Sequence, residues 1–121
     1  MLMNTGKILH VDDDEIVRIF VAKACGIYGY KLISASCVQS AFDTFKLEDD
    51  ISLVITDYHM PENGDGLKLQ RLIREISQVP VILMSGAGSG LTNDPLNVFD
   101  GFVPKPINLS KLFSEIERLS Q

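Results

Sequence analysis

The sequence predicts a doubly wound α/β domain built on a five-stranded parallel sheet. Three observations carry this expectation: five short apolar runs bounded by turn-forming or charged residues, four stretches of helical periodicity, and an alternation of the two along the chain.

The apolar runs are Ile8 to Val11, Lys31 to Ala35, Leu53 to Thr56, Val81 to Met84 and Phe102-Val103. Their near-continuous apolar character suits strands covered by helices on both faces. Helical spacing falls at Ile16, Phe20, Ala24 and Ile27; at Val38, Ala41, Phe42 and Phe45; at Leu69, Leu72, Ile73 and Ile76; and at Leu109, Leu112, Phe113, Ile116 and Leu119. Each set reads as one buried face. Right-handed crossovers then give the parallel sheet. Pro104 lacks a backbone N–H, so strand five is expected at an edge.

One interval breaks the pattern. Between strands four and five, where a helix should run, lie Gly86, Gly88, Gly90, Gly101 and Pro95. An interior glycine costs a helix about 1 kcal/mol relative to alanine, so the connecting helix is expected to be short or irregular. Asp94 could cap a piece with Pro95 at its first position, leaving about one turn from Leu96 to Phe99.

With 121 residues the chain suits a single domain, expected to span 1–121, with no room for a separate effector domain. Apolar residues make up 45% and charged residues 22%, and no run reaches the roughly 18 apolar residues of a membrane span. The start, Met1 to Lys7, shows no secretory signal, so a cytoplasmic location without membrane association is expected. Cys25 and Cys37 form no CxxC and have no histidine at zinc-ligand spacing; they read as free thiols in packing roles. Sixteen acidic residues against 11 basic ones give a net charge of −5 with no basic cluster, which argues against direct nucleic-acid binding.

In a parallel α/β sheet, ligands bind beyond the carboxyl ends of the strands. This chain places its unusual polar residues there: Asp12 and Asp13 after strand one, Asp57 after strand three, Ser85 after strand four and Lys105 after strand five. Converging carboxylates repel one another, and a hard divalent cation, expected to be Mg²⁺, or a proton would relieve the repulsion. Helix capping accounts for Asp14 and Glu15 but not for Asp12 and Asp13 as well. Singly, Asp57 reads as a solvated strand end and Lys105 as a surface lysine; their coincidence at matching strand ends argues for a site. His10 reads as a packed strand residue. The His59 imidazole is a weak ligand candidate because Mg²⁺ prefers oxygen.

Four fragments in order carry a resemblance: Val11-Asp12-Asp13 with Arg18 downstream, Thr56-Asp57-Tyr58-His59-Met60-Pro61 followed by Asp65-Gly66, Ile82-Leu83-Met84-Ser85-Gly86-Ala87, and Lys105-Pro106. Together they cover nearly the whole chain, which resembles the receiver domain of two-component response regulators. The resemblance implies a flavodoxin-like strand order of 2-1-3-4-5 and a phosphoacceptor role for Asp57. It implies Mg²⁺ held by Asp12, Asp13, Asp57 and the backbone carbonyl of His59, with Ser85 and Lys105 meeting the phosphoryl group. It also implies a cis peptide at Lys105-Pro106, a switch formed by Ser85 and Phe102, and a sensor histidine kinase or phosphotransfer protein as donor. Such a domain is not an enzyme in the usual sense, although it assists its own phosphorylation and dephosphorylation. These roles agree with phosphoryl transfer as chemistry, which needs an in-line nucleophile and cations on the equatorial oxygens.

Three departures stand out. Phe102 replaces the usual tyrosine and cannot donate a hydroxyl hydrogen bond. The loop from Met60 to Asp65 is one residue longer, and the glycine-rich stretch after Ser85 alters the usual output face. A small-molecule Mg²⁺-dependent phosphatase would also use an aspartate nucleophile, but Tyr58-His59 supplies no evident general acid and there is no cap domain. A flavin binder would need a phosphate-cradling loop where three aspartates stand. A phosphorylation-independent binding module of the same fold would have no need to keep Asp12, Asp13, Asp57, Ser85 and Lys105.

Overall fold

The computed structural model describes residues 6–62, 64–86 and 98–120. Five strands, β1 (Lys7–Val11), β2 (Lys31–Ala35), β3 (Ile51–Asp57), β4 (Val81–Gly86) and β5 (Gly101–Lys105), form one sheet in the order β2-β1-β3-β4-β5. Every neighbouring pair is parallel. Four helices, α1 (Glu15–Ile27), α2 (Val38–Leu47), α3 (Asp65–Arg74) and α4 (Leu109–Leu119), are described. The chain leaves β1 towards β2 and returns to β3 on the other side of β1, so the order reverses between β1 and β3. A crevice opens at such a point, beyond the carboxyl ends of the strands.

Two apolar layers hold the sheet. On one face Ile8, Leu53, Ile55, Ile82, Met84 and Val103 pack under α1 and α4, through Val21, Ala24, Cys25, Leu112, Phe113 and Ile116. On the other, Leu9, Val11, Val54 and Val81 lie under α2 and α3, through Ala41, Phe45, Leu69 and Ile73. The period of two along each strand divides its residues between the layers. Each fully buried aliphatic side chain contributes about 1.5–3 kcal/mol, so it is these layers that fix the strand ends in space.

The structure corrects the expected buried face of α1. Ile16, Phe20 and Ile27 are 77%, 45% and 83% exposed, whereas Val21, Ala24 and Cys25 face the sheet. This helix is apolar on adjacent stripes, so periodicity alone does not choose between them. The sheet takes the stripe with the smaller side chains, which lets the helix lie close, and the bulkier stripe is left outward. Ile76 likewise stands exposed, because α3 ends at Arg74. Strands β3 and β5 are longer than their apolar runs, since backbone pairing continues through Ser52, Asp57, Pro104 and Lys105.

The glycine-rich interval lies almost wholly outside the described residues, as does the first half of the short helix expected at Leu96 to Phe99; Val98 and Phe99 are described and are not helical. The chain from Val98 onward is anchored. The buried Gln70 on α3 donates to the Val98 carbonyl at 3.0 Å, and Phe99 packs against the α2/α3 layer. Asp100 accepts from the Val81 N–H at 2.8 Å and from Arg74 at 3.1 Å. β5 is the edge strand that Pro104 implied, and the Phe102 N–H beside it donates to Glu115 at 3.2 Å. Among the described residues no helix is long and apolar enough to cross a membrane. Cys25 and Cys37 are free, and the Cys37 sulfur accepts from the Ser40 N–H as the N-cap of α2.

Candidate functional site

Strand β1 delivers Asp12 into the crevice, and the turn after it is fixed by its own aspartates. Asp14 caps α1, accepting from the Ile16 and Val17 N–H groups at 2.9 and 3.4 Å, with Glu15 in the first helical turn. Asp12 is fully buried and its carboxylate accepts from the Asp14 N–H at 2.9 Å. Asp13 lies between these two and is exposed. Three consecutive aspartates therefore divide their work: one caps a helix, and the other two stand at the end of β1.

Asp57 is the last residue of β3 and is buried. One carboxylate oxygen accepts from the Tyr58 N–H at 2.8 Å, which leaves the other to face the crevice. The start of α3 packs directly against this segment. The Gly66 N–H donates to the Tyr58 carbonyl at 2.9 Å, and a Cβ at Gly66 would overlap the Asp57 carbonyl oxygen. Only glycine permits this approach of backbone to backbone.

Lys105, at the end of β5, reaches across the sheet end to both acids. Its ammonium lies 3.0 Å from Asp12 Oδ2 and 3.1 Å from Asp57 Oδ2. Burial pushes the Asp57 carboxyl up from its ordinary value, and the Asp12 charge adds to this while Lys105 opposes it. Burial would pull the Lys105 ammonium down, but its hydrogen bonds and charge contacts with Asp12 and Asp57 hold it above the usual lysine value. Lys105-Pro106 is a cis peptide, as the resemblance implied, and so is Met60-Pro61.

Ser85 comes directly after Met84, whose register partner is Asp57, so it stands one residue before the end of β4, beside the acid. Its hydroxyl is buried and has no hydrogen-bond partner among the described residues. Phe102 is 38% exposed rather than packed inward. The His59 ring sits edge-on to Tyr58, with centroids 5.3 Å apart, and is no part of the acid cluster. His10 is a packed strand residue, fully buried, with neither ring nitrogen hydrogen-bonded among the described residues.

The cluster fits a hard dication. Carboxylate oxygens of Asp12, Asp13 and Asp57 lie within 4.8 Å of one another, and no nitrogen or sulfur ligand joins them among the described side chains. Three carboxylates facing one ammonium leave two negative charges uncompensated. All-oxygen donors of that charge suit Mg²⁺, which dehydrates reluctantly and takes a few carboxylates plus water or phosphate. One contact was not foreseen: Arg18, on α1, donates to the Asp12 backbone carbonyl at 2.8 Å. An arginine six residues after a strand-end aspartate was the signal for it.

Comparison with known proteins agrees with this geometry. The family model described as "Response regulator receiver domain" matches residues 8–117. The transcriptional regulatory protein CpxR of Escherichia coli is 31% identical over 116 residues, covering 93% of this chain and 48% of that protein. AruR of Pseudomonas aeruginosa is 30% identical over 124 residues, with the same two shares. The chain thus spans about half the length of these regulators. The receiver domain of the response regulator TorR superposes with a TM-score of 0.83 at 25% identity, covering 94% of this chain and 95% of that one. That of the hybrid histidine kinase CckA gives 0.77 at 29%, covering 96% and 100%. With the sheet order, the acid cluster and the lysine already in place, these matches are sufficient: the chain belongs to the family of response regulator receiver domains.

Proposed function

We propose that residues 1–121 act as a single phosphoacceptor unit that takes a phosphoryl group from a phosphohistidine of a sensor histidine kinase or phosphotransfer protein onto Asp57. The observation that carries this reading is the Asp57 carboxylate at the crevice, 3.1 Å from the Lys105 ammonium and grouped with Asp12 and Asp13. The Asp57 oxygen forms the new O–P bond as the N–P bond of the donor breaks, and the leaving imidazole takes its proton from solvent. Lys105 neutralises charge on the phosphoryl oxygens and the Ser85 hydroxyl donates to one of them. Asp12, Asp13, Asp57 and the His59 backbone carbonyl would hold Mg²⁺, which would supply further neutralisation of that charge. Ser85, drawn towards the phosphoryl group, vacates space into which Phe102 turns.

The donor approaches over the outward stripe of α1. Ile16, Val17 and Phe20 line an apolar groove with Pro106 and Ile107, and Lys105 stands at its edge. Such a groove beside the reacting carboxylate suits a helix carrying the phosphohistidine.

Intact mass after incubation with acetyl phosphate and Mg²⁺ tests the reading. One phosphoryl group should be added, EDTA should prevent it, and Asp57→Asn should abolish it. Equal labelling of Asp57→Asn would remove Asp57 as the nucleophile. A wild-type protein that takes up nothing would return the chain to the phosphorylation-independent binding module.

A second expectation concerns Asp13, which is exposed. Asp13→Asn relieves like charge while removing a metal ligand. Its melting temperature without metal should equal or exceed that of wild type, and most of the stabilisation by Mg²⁺ should vanish. A large loss of metal-free stability would show instead that Asp13 holds the turn.

A further inference from the structure

Asp12 is fully buried, and each of its polar groups has a partner. Its N–H donates to the Ala35 carbonyl at 3.1 Å as a continuation of the β1/β2 ladder. One carboxylate oxygen takes the Asp14 N–H at 2.9 Å and the other takes Lys105 at 3.0 Å. The sheet, the turn and the site lysine supply those three contacts. The fourth differs: the backbone carbonyl is held at 2.8 Å by Nη1 of Arg18, a long side chain reaching back from α1. Arg18 makes no ion pair among the described residues, so its charge strengthens a hydrogen bond to a neutral carbonyl.

That carbonyl lies in the same rigid peptide plane as the Asp13 N–H. Fixing it fixes the plane joining two of the three carboxylates that face the cation. Its charge works the other way, because a guanidinium beside an acid cluster repels an incoming dication. Position and charge therefore make opposite forecasts for the loss of Arg18.

We propose that Arg18 is a positioning residue for the cation site, setting its affinity and its selectivity for a small ion by holding the Asp12–Asp13 peptide. This rests on the Mg²⁺ site of the proposed function. Outer partners of metal ligands typically govern about 10- to 100-fold in affinity. Mg²⁺ demands stricter geometry than Ca²⁺, so a loosened site loses more of its affinity for Mg²⁺.

Isothermal titration of the metal-free chain with MgCl₂ and with CaCl₂ tests this on wild type, Arg18→Met and Arg18→Lys, with thermal melts to check folding. Arg18→Met should bind Mg²⁺ about tenfold more weakly, although a repelling cation has been removed, and its preference for Mg²⁺ over Ca²⁺ should fall. Arg18→Lys, which keeps the charge and a donor, should lie between. Should the methionine variant fail to fold, weaker and less selective binding by Arg18→Lys carries the same result. Wild type that binds Mg²⁺ together with Arg18→Met that binds it equally or more tightly would overturn the role of Arg18 alone. Wild type that binds no Mg²⁺ would overturn the cation site and this inference with it. Equal losses for the two ions would reduce Arg18 to a general support of the fold.

Discussion

Replacing Lys105 by methionine is expected to lower the metal-free stability of the protein by about 3 kcal/mol, or roughly 10 °C in melting temperature. The lysine bridges Asp12 and Asp57 at 3.0 and 3.1 Å, and Asp12 is wholly removed from solvent. Methionine fills nearly the same volume, so the loss is chiefly electrostatic: two carboxylates are left facing each other without their cation. Removing one partner of a buried ion pair costs about 3–5 kcal/mol, and the low end applies because the lysine is a quarter exposed.

The same variant should gain more stability from Mg²⁺ than wild type does, since the three acids would then present their full charge to the dication. Asp12→Asn in the Lys105→Met background should recover much of the loss. Thermal melts with and without MgCl₂ on the single and double variants check both statements. A drop of less than about 1 kcal/mol for Lys105→Met would mean that water or protons already neutralise the pair.

The sequence made the sheet and its acids legible for a common reason. Strands covered on both faces are continuously apolar, so each ends visibly at the first polar residue, and Asp12, Asp57, Ser85 and Lys105 are those residues. The burial of α1 was not legible, because Ile16, Phe20 and Ile27 satisfy the helical period as well as Val21, Ala24 and Cys25 do. Nor were contacts that depend on side-chain reach, such as Arg18 to the Asp12 carbonyl or Gln70 to that of Val98. Pattern records which face a residue occupies. It does not record where a long side chain ends, and the support of the site is made of such chains.

His10 shows the same division, and its substitution should have a large effect on acid stability. Its place inside the apolar run of β1 predicted a packed residue, and the ring is fully buried, with Ser34 and Ile55 as register partners on the neighbouring strands. Neither ring nitrogen has a hydrogen-bond partner among the described residues, so the neutral ring leaves an N–H unsatisfied at a cost of about 1–3 kcal/mol. Burial lowers its pKa from 6.5 to about 4; the Asp12 charge opposes the shift, while those of Lys105 and Arg18 reinforce it. The unfolded chain therefore takes up this proton before the folded protein does. The contribution is fully present above pH 6.5 and is lost as pH falls towards 4, by up to about 3 kcal/mol. Asp57 works in the opposite sense: its raised pKa favours the folded state once the carboxyl is protonated, which offsets part of the loss in wild type. Comparison with His10→Leu isolates the histidine. The leucine variant should be more stable by about 1–2 kcal/mol at pH 7.5, because no orphaned N–H remains. Its advantage should widen steadily between pH 6.5 and 4 in metal-free urea titrations. A difference that stays constant across that range would mean that His10 finds a partner for its proton in the folded protein.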